Sequence, residues 1–270
     1  MAIVDIGPLP LHVQRIGPRD GRPPTATAVL VHGLLTDSLA SYYFTLAPRF
    51  AAAGLDVVMY DLRGHGRSGR PESGYTLDDN LDDLEALLGR LELTAPVHLV
   101  GNSFGGTVAF GYAERRPEHV ASLSVIESMP ATAAWAATMD GVLRQVETEL
   151  ASNEAAALDW ITTNRGFNTA RLAKGAALLV RASTIVRDIP AGRILGEDRI
   201  RSVRCPTLFL YGGDSALVEQ APWLESLLPD CRTVVVPGHE HSVLVEAPGP
   251  VGDHILGLIR DVSGAEAAVR

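Results

Sequence analysis

The chain has 270 residues, of which 46% are apolar and 20% charged, and its formal net charge is −9. That length and balance describe one large globular domain, able to fold without disulfides or a structural metal. The negative charge argues against nucleic acid or an anionic membrane as partner, and no uninterrupted apolar run reaches the ~18 residues of a bilayer span.

From the N-terminus, an early Asp5 and the lack of a basic start before a long apolar run speak against a signal peptide. A cytoplasmic protein is expected, with Cys205 and Cys231 as reduced thiols outside any metal-ligand spacing. Leu11–Arg15 is the first predicted strand. Thr25–Val31 is a short apolar, β-branched run of the kind buried on both sheet faces, and it ends at His32-Gly33. Ser38–Ala53 reads as helix, with Pro48 expected to break or kink it. Leu55–Tyr60 is a strand and Asp61–Arg70 a Gly-rich loop. Leu77–Leu91 is an amphipathic helix whose first turn carries acids, as the helix dipole favours.

Val97–Val100 is a strand that leads into Gly101-Asn102-Ser103-Phe104-Gly105-Gly106, and Thr107–Arg115 continues as helix. Val120–Ile126 is a strand ending at Glu127. From Met129 to about Ile200 the segment is Ala-rich and helical, too long for a simple crossover. Thr207–Tyr211 and Thr233–Val236 resume the strands. A last helix follows Pro248 to about Val262, with a frayed tail beyond it. Alternating strands and helices predict an α/β fold with a mostly parallel central sheet flanked by helices. We divide it into a core, 1–129 and 199–270, and an inserted helical cap, 130–198. A lone lysine, Lys174, among many arginines and alanines points to a GC-rich bacterial genome.

Gly101-Asn102-Ser103-Phe104-Gly105 fits G-x-S-x-G. In that pattern the serine sits on a strained strand-to-helix turn, with small residues two before and two after it so that strand and helix pass closely. Ser103 is thereby the candidate nucleophile, above the C-terminal edge of the sheet. The start of the next helix points backbone N–H groups at developing negative charge.

With these motifs in order (Val31-His32-Gly33-Leu34, Asp61 to Ser68, Gly101 to Gly106, His241 to Pro248), the sequence resembles the α/β-hydrolase superfamily over nearly its whole length. The resemblance implies an oxyanion hole made by the backbone N–H groups of Phe104 and Leu34. It implies that His32, His65, Asp61 and Arg63 brace loops. It places the base at His241, which precedes Glu246 and Pro248 at the family's offsets, while His239 fits neither. A base needs a carboxylate on its Nδ1–H. Asp214 follows Gly212-Gly213, but Ser215 occupies the slot where the family's acid commonly stands. The alternative is Glu127, in a segment similar to haloalkane dehalogenases that carry their acid after this strand. Preference falls on Glu127, with Asp214 open. Those dehalogenases have an aspartate nucleophile where this chain has Ser103, which disfavours halide displacement.

The expected activity is hydrolysis of an ester or thioester of an apolar small-molecule acyl substrate by a Ser-His-acid triad. Trp135, Met139 and Trp160 of the cap are candidate substrate-lining residues. Weaker similarity of 34–44 and 238–244 to polyketide-pathway hydrolase-fold proteins keeps acetate elimination open as a lyase reaction. Gly-Asn-Ser-Phe-Gly-Gly similarly keeps C–C bond cleavage open, and the fold also serves non-catalytic receptors. No cofactor and no metal are implied, because the glycines form no dinucleotide fingerprint and no ligand spacing occurs. Oligomeric state is not readable from the sequence.

Overall fold

A computed structural model describes residues 2–7, 9–18, 21–165 and 167–269, with side chains described outside 153–170 and 265–270. Among them, β1 (Ala2–Asp5), β2 (Pro10–Ile16), β3 (Thr27–Val31), β4 (Asp56–Tyr60), β5 (Val97–Asn102), β6 (Val120–Ile126), β7 (Thr207–Gly212) and β8 (Cys231–Val236) form one sheet. Its order is β1-β2-β4-β3-β5-β6-β7-β8. β2 runs antiparallel to β1 and β4, and the remaining neighbours are parallel. β1 was not anticipated. It is an exposed edge strand and carries no inward apolar alternation to announce it.

The helices are α1 (Ala40–Tyr43), α2 (Ala47–Ala52), α3 (Leu77–Arg90), α4 (Phe104–Arg115), α5 (Ala133–Arg165), α6 (Phe167–Ala182), α7 (Ile185–Asp188), α8 (Glu197–Arg201), α9 (Ala221–Leu227), α10 (Val243–Glu246) and α11 (Pro248–Val269). Pro48 opens α2, where its missing N–H costs nothing, so the single helix expected over Ser38–Ala53 is two. α11 runs past Val262 through the tail expected to fray, where Ala and Glu are good helix formers. α3 starts on a capping box between Thr76 and Asp79.

Both sheet faces are buried, and strand residues alternate between them. Ala28, Leu30, Val57 and Met59 pack with Tyr42, Phe50 and Ile255 of α1, α2 and α11. Val29, Val31, Val58 and Leu99 pack with Leu81, Val108 and Leu224 of α3, α4 and α9 on the other face. The same second cluster takes in Trp135, Leu143, Leu179 and Ile185 of α5, α6 and α7.

The α5–α8 helices enter after β6 and leave before β7, which are neighbours in the sheet. At the base of this insertion the Leu195 N–H donates to Ala131 O at 2.7 Å. Arg193 and Arg199 both reach Glu114 of α4, at 3.1 and 2.7 Å. Asp188 Oδ2 accepts the Gly74 and Tyr75 N–H groups at 3.1 and 3.2 Å.

Candidate active site

The chemistry-bearing residues follow the C-terminal ends of parallel strands, where loops emerge on one edge of the sheet. Ser103 ends the turn from β5 to α4 with φ 52° and ψ −127°. A non-glycine residue in this region is strained, and strain of this kind is retained where surrounding contacts fix it. Here the fixing is steric. A Cβ on Gly101 would lie 2.2 Å from Gly105 O, and one on Gly105 would lie 2.0 Å from Val31 O. Strand, turn and helix therefore close up only with hydrogen at both positions.

His241 lies in the loop between β8 and α10. Its Nε2 is 3.0 Å from Ser103 Oγ, and its Nδ1 is 3.2 Å from Glu127 Oε2. That geometry corresponds to the tautomer with its proton on Nδ1, leaving Nε2 to accept from the serine hydroxyl. The imidazole is 58% exposed, while the Glu127 side chain is fully buried. Glu127 itself has φ 48°. Its Oε2 also accepts from Ser215 Oγ at 2.7 Å, and its Oε1 accepts the Gly212 N–H at 2.5 Å. Three donors thus converge on one buried carboxylate and offset the cost of removing it from water.

Asp214 is placed differently. It is exposed, and its backbone N–H donates to His239 O at 3.0 Å. No hydrogen bond joins its side chain to His241 among the described residues. Ser215 does stand in the slot that the sequence pattern reserves for an acid, and it turns its hydroxyl to Glu127. His239 pairs with Glu246, Nδ1 to Oε2 at 3.1 Å.

Leu34 and Ser103 line one cavity of about 280 Å³ together with His241, Asp37 and Asn102. Phe104 opens α4, where the first N–H groups have no intrahelical acceptor. The loop carrying Leu34 is held from below by two buried histidines. His32 Nε2 accepts the Leu62 N–H at 3.0 Å and its Nδ1 donates to Gly33 O at 2.7 Å. His65 Nε2 accepts the Leu35 N–H at 2.9 Å and its Nδ1 donates to Arg63 O at 2.8 Å. Burial first, and then neighbouring His32, push the His65 imidazole down to about 3, so it stays a neutral brace. Arg63 grips Asp83 of α3 with two guanidinium nitrogens, at 2.7 and 2.6 Å.

Burial pushes the Asp61 carboxyl up, but the Arg67 and Leu39 N–H groups and nearby His32 and His12 outweigh it and hold it below its ordinary range. Trp135 is buried, with its ring stacked 6.2 Å from that of Phe104, and Met139 packs partly buried on the same apolar cluster. These two side chains join α5 to the core beside Phe104 and do not line the Ser103 cavity. The Trp160 side chain lies outside the described residues.

The family model described as alpha/beta hydrolase fold matches residues 28–153. The chain is 27% identical to a non-heme chloroperoxidase of Streptomyces lividans, over 90% of this chain and 94% of that protein. It is 29% identical to the 2-(acetamidomethylene)succinate hydrolase of Mesorhizobium japonicum, over 91% and 90%. A thermophilic esterase from Thermogutta terrifontis superposes with a TM-score of 0.76 at 22% identity, over 94% of each chain. Together with the strand order and the turn at Ser103, these matches show that the chain has the α/β-hydrolase fold and support its being an enzyme.

Proposed function

We propose that the protein is a serine hydrolase acting on carboxylic esters or thioesters, with Ser103 as nucleophile, His241 as base and Glu127 as the acid. The observation that carries this reading is the continuous path from Ser103 Oγ through His241 to Glu127, at 3.0 and 3.2 Å. In the forward step His241 Nε2 takes the Ser103 proton as Oγ attacks the carbonyl carbon. The Phe104 and Leu34 N–H groups hold the oxyanion. Protonated His241, stabilised by Glu127, then gives that proton to the departing alcohol or thiol. Water, deprotonated by the same imidazole, attacks the acyl-serine and releases the acid. Similarity to proteins named as esterase and hydrolase supports the class of reaction.

Residues 130–198 act in this reading as a cap that sets substrate choice. The substrate is a small molecule whose acyl group reaches Ser103 between Leu34 and His241.

A fluorophosphonate probe tests the nucleophile. Mass mapping is expected to place a single adduct on Ser103, and Ser103→Ala is expected to lose both label and p-nitrophenyl ester turnover while staying folded. Turnover retained by folded Ser103→Ala, or an unlabelled wild type, overturns the proposal. Following an acetylated substrate by mass separates hydrolysis, which leaves an alcohol, from elimination, which leaves an alkene.

A further inference from the structure

Apart from the Ser103 cavity, the structure holds a second one of about 300 Å³ between the loop after β4 and helix α6. His12 of β2 forms part of its wall, although this residue is only 5% exposed. The His12 Nδ1 lies 2.7 Å from Asp61 Oδ2. Its Nε2 is buried and has no hydrogen-bond partner among the described residues. A buried ring nitrogen left unpaired costs stability, and this one belongs to a residue that borders a cavity.

Arginines from two separate parts of the chain meet on the same wall. Arg67 and Arg70 come from the loop after β4, and Arg171 comes from α6. Gly175 on α6 lines the same wall beside Arg70. The acids of the wall are Asp37 and Asp61. Asp37 is turned to the Gly33 and Ser38 N–H groups, at 2.7 and 2.8 Å. Asp61 is occupied by His12 and by the Leu39 and Arg67 N–H groups. Cationic side chains therefore set the sign of this cavity in a chain whose net charge is −9.

We propose that this cavity is a binding site for a small anion, a carboxylate or phosphate group. Arg70 and Arg171 supply planar forked donors that match such oxygens, and Arg67 adds charge. His12, held at Nδ1 by Asp61 and with Nε2 unpartnered among the described residues, borders the same cavity. Leu35, Ser38 and Leu39 line the same cavity, so an occupant touches the segment that carries Leu34. Binding here does not depend on the chemistry assigned to Ser103.

The test is titration of the whole protein with inorganic phosphate and with succinate, by calorimetry at low ionic strength. Saturable binding is expected, with Arg70→Gln/Arg171→Gln weakening it about tenfold or more. Arg90→Gln/Arg204→Gln, which removes the same charge from exposed positions outside the cavity, is expected to bind as wild type. His12→Gln is expected to weaken binding as well, and the arginine pair serves if that buried change unfolds the protein. Absence of saturable binding, or equal loss in the control pair, overturns the proposal. Two kinetic arms separate the sources of the anion. If it is the substrate's own acidic tail, phosphate raises KM for an acid-tailed ester and leaves a neutral ester unchanged. If it is a free effector, phosphate shifts turnover of the neutral ester.

Discussion

Ser215 Oγ stands 2.7 Å from Glu127 Oε2, so the loop after β7 gives a hydroxyl to an acid that hangs from β6. The acid and the slot where the sequence pattern looks for one are in contact across neighbouring strands. Under the proposed function, the two candidate acids then differ in what their removal does. Glu127→Gln is expected to lower kcat by ~10³–10⁴, and Asp214→Asn to leave it near wild type, with circular dichroism confirming that both variants fold. Loss confined to Asp214→Asn would reverse the assignment.

Removing the Ser215 hydroxyl leaves Glu127 Oε2 with one donor fewer. Ser215→Ala is expected to lower kcat about tenfold, the equivalent of ~1.4 kcal/mol. The exchange Glu127→Ser/Ser215→Asp should recover part of the activity that Glu127→Ser alone loses, because it moves the carboxylate to the adjacent strand. Steady-state kinetics on the three variants decide the point; a double variant no better than Glu127→Ser counts against it.

Crowding at the Ser103 turn makes a prediction about stability. In Gly101→Ala the new methyl would stand 2.2 Å from Gly105 O, against backbone that cannot yield. A loss beyond ~4 kcal/mol is expected, read as insoluble expression or a collapsed denaturation midpoint. Gly141→Ala on α5, with nothing within 4 Å of its Cβ, should gain ~0.5–1 kcal/mol from helix propensity alone.

Buried imidazoles set a pH dependence. His98, with Nδ1 2.7 Å from Ser122 Oγ, is pushed down to about 4 by burial. The unfolded chain takes up this proton near pH 6.5. Between about 6.5 and 4 the unfolded state therefore holds more protons than the folded one, and stability falls as pH drops through that window. Above it the contribution is fully present. Urea denaturation at about pH 7 and about pH 5 should show His98→Gln losing less stability than wild type over the interval; equal losses would mean that other groups carry it.

Strands buried on both faces, such as TAVLV, were legible because their residue types leave little else to form. The tight turn at Ser103 was legible because its sterics demand glycine at set positions. β1 was not, since an exposed edge strand of four residues needs no apolar pattern. The pairing of Glu127 with Ser215 was hidden for another reason. It joins positions that are distant in the chain and become adjacent only when β6 and β7 align. Arg67, Arg70 and Arg171 are likewise dispersed in sequence, and no local charge run announces the cavity they share. Trp135 reads as a pocket residue by its aromatic type, yet stacking on Phe104 commits its ring to the join between α5 and the core.

The hydrogen bond from Leu195 to Ala131 draws the two ends of the helical insertion together at neighbouring strands. The block between them still rests on the core at Gly74, Tyr75 and Glu114, so exchanging it means keeping those seats as well as the seam, while Ser103, His241 and Glu127 all lie outside it.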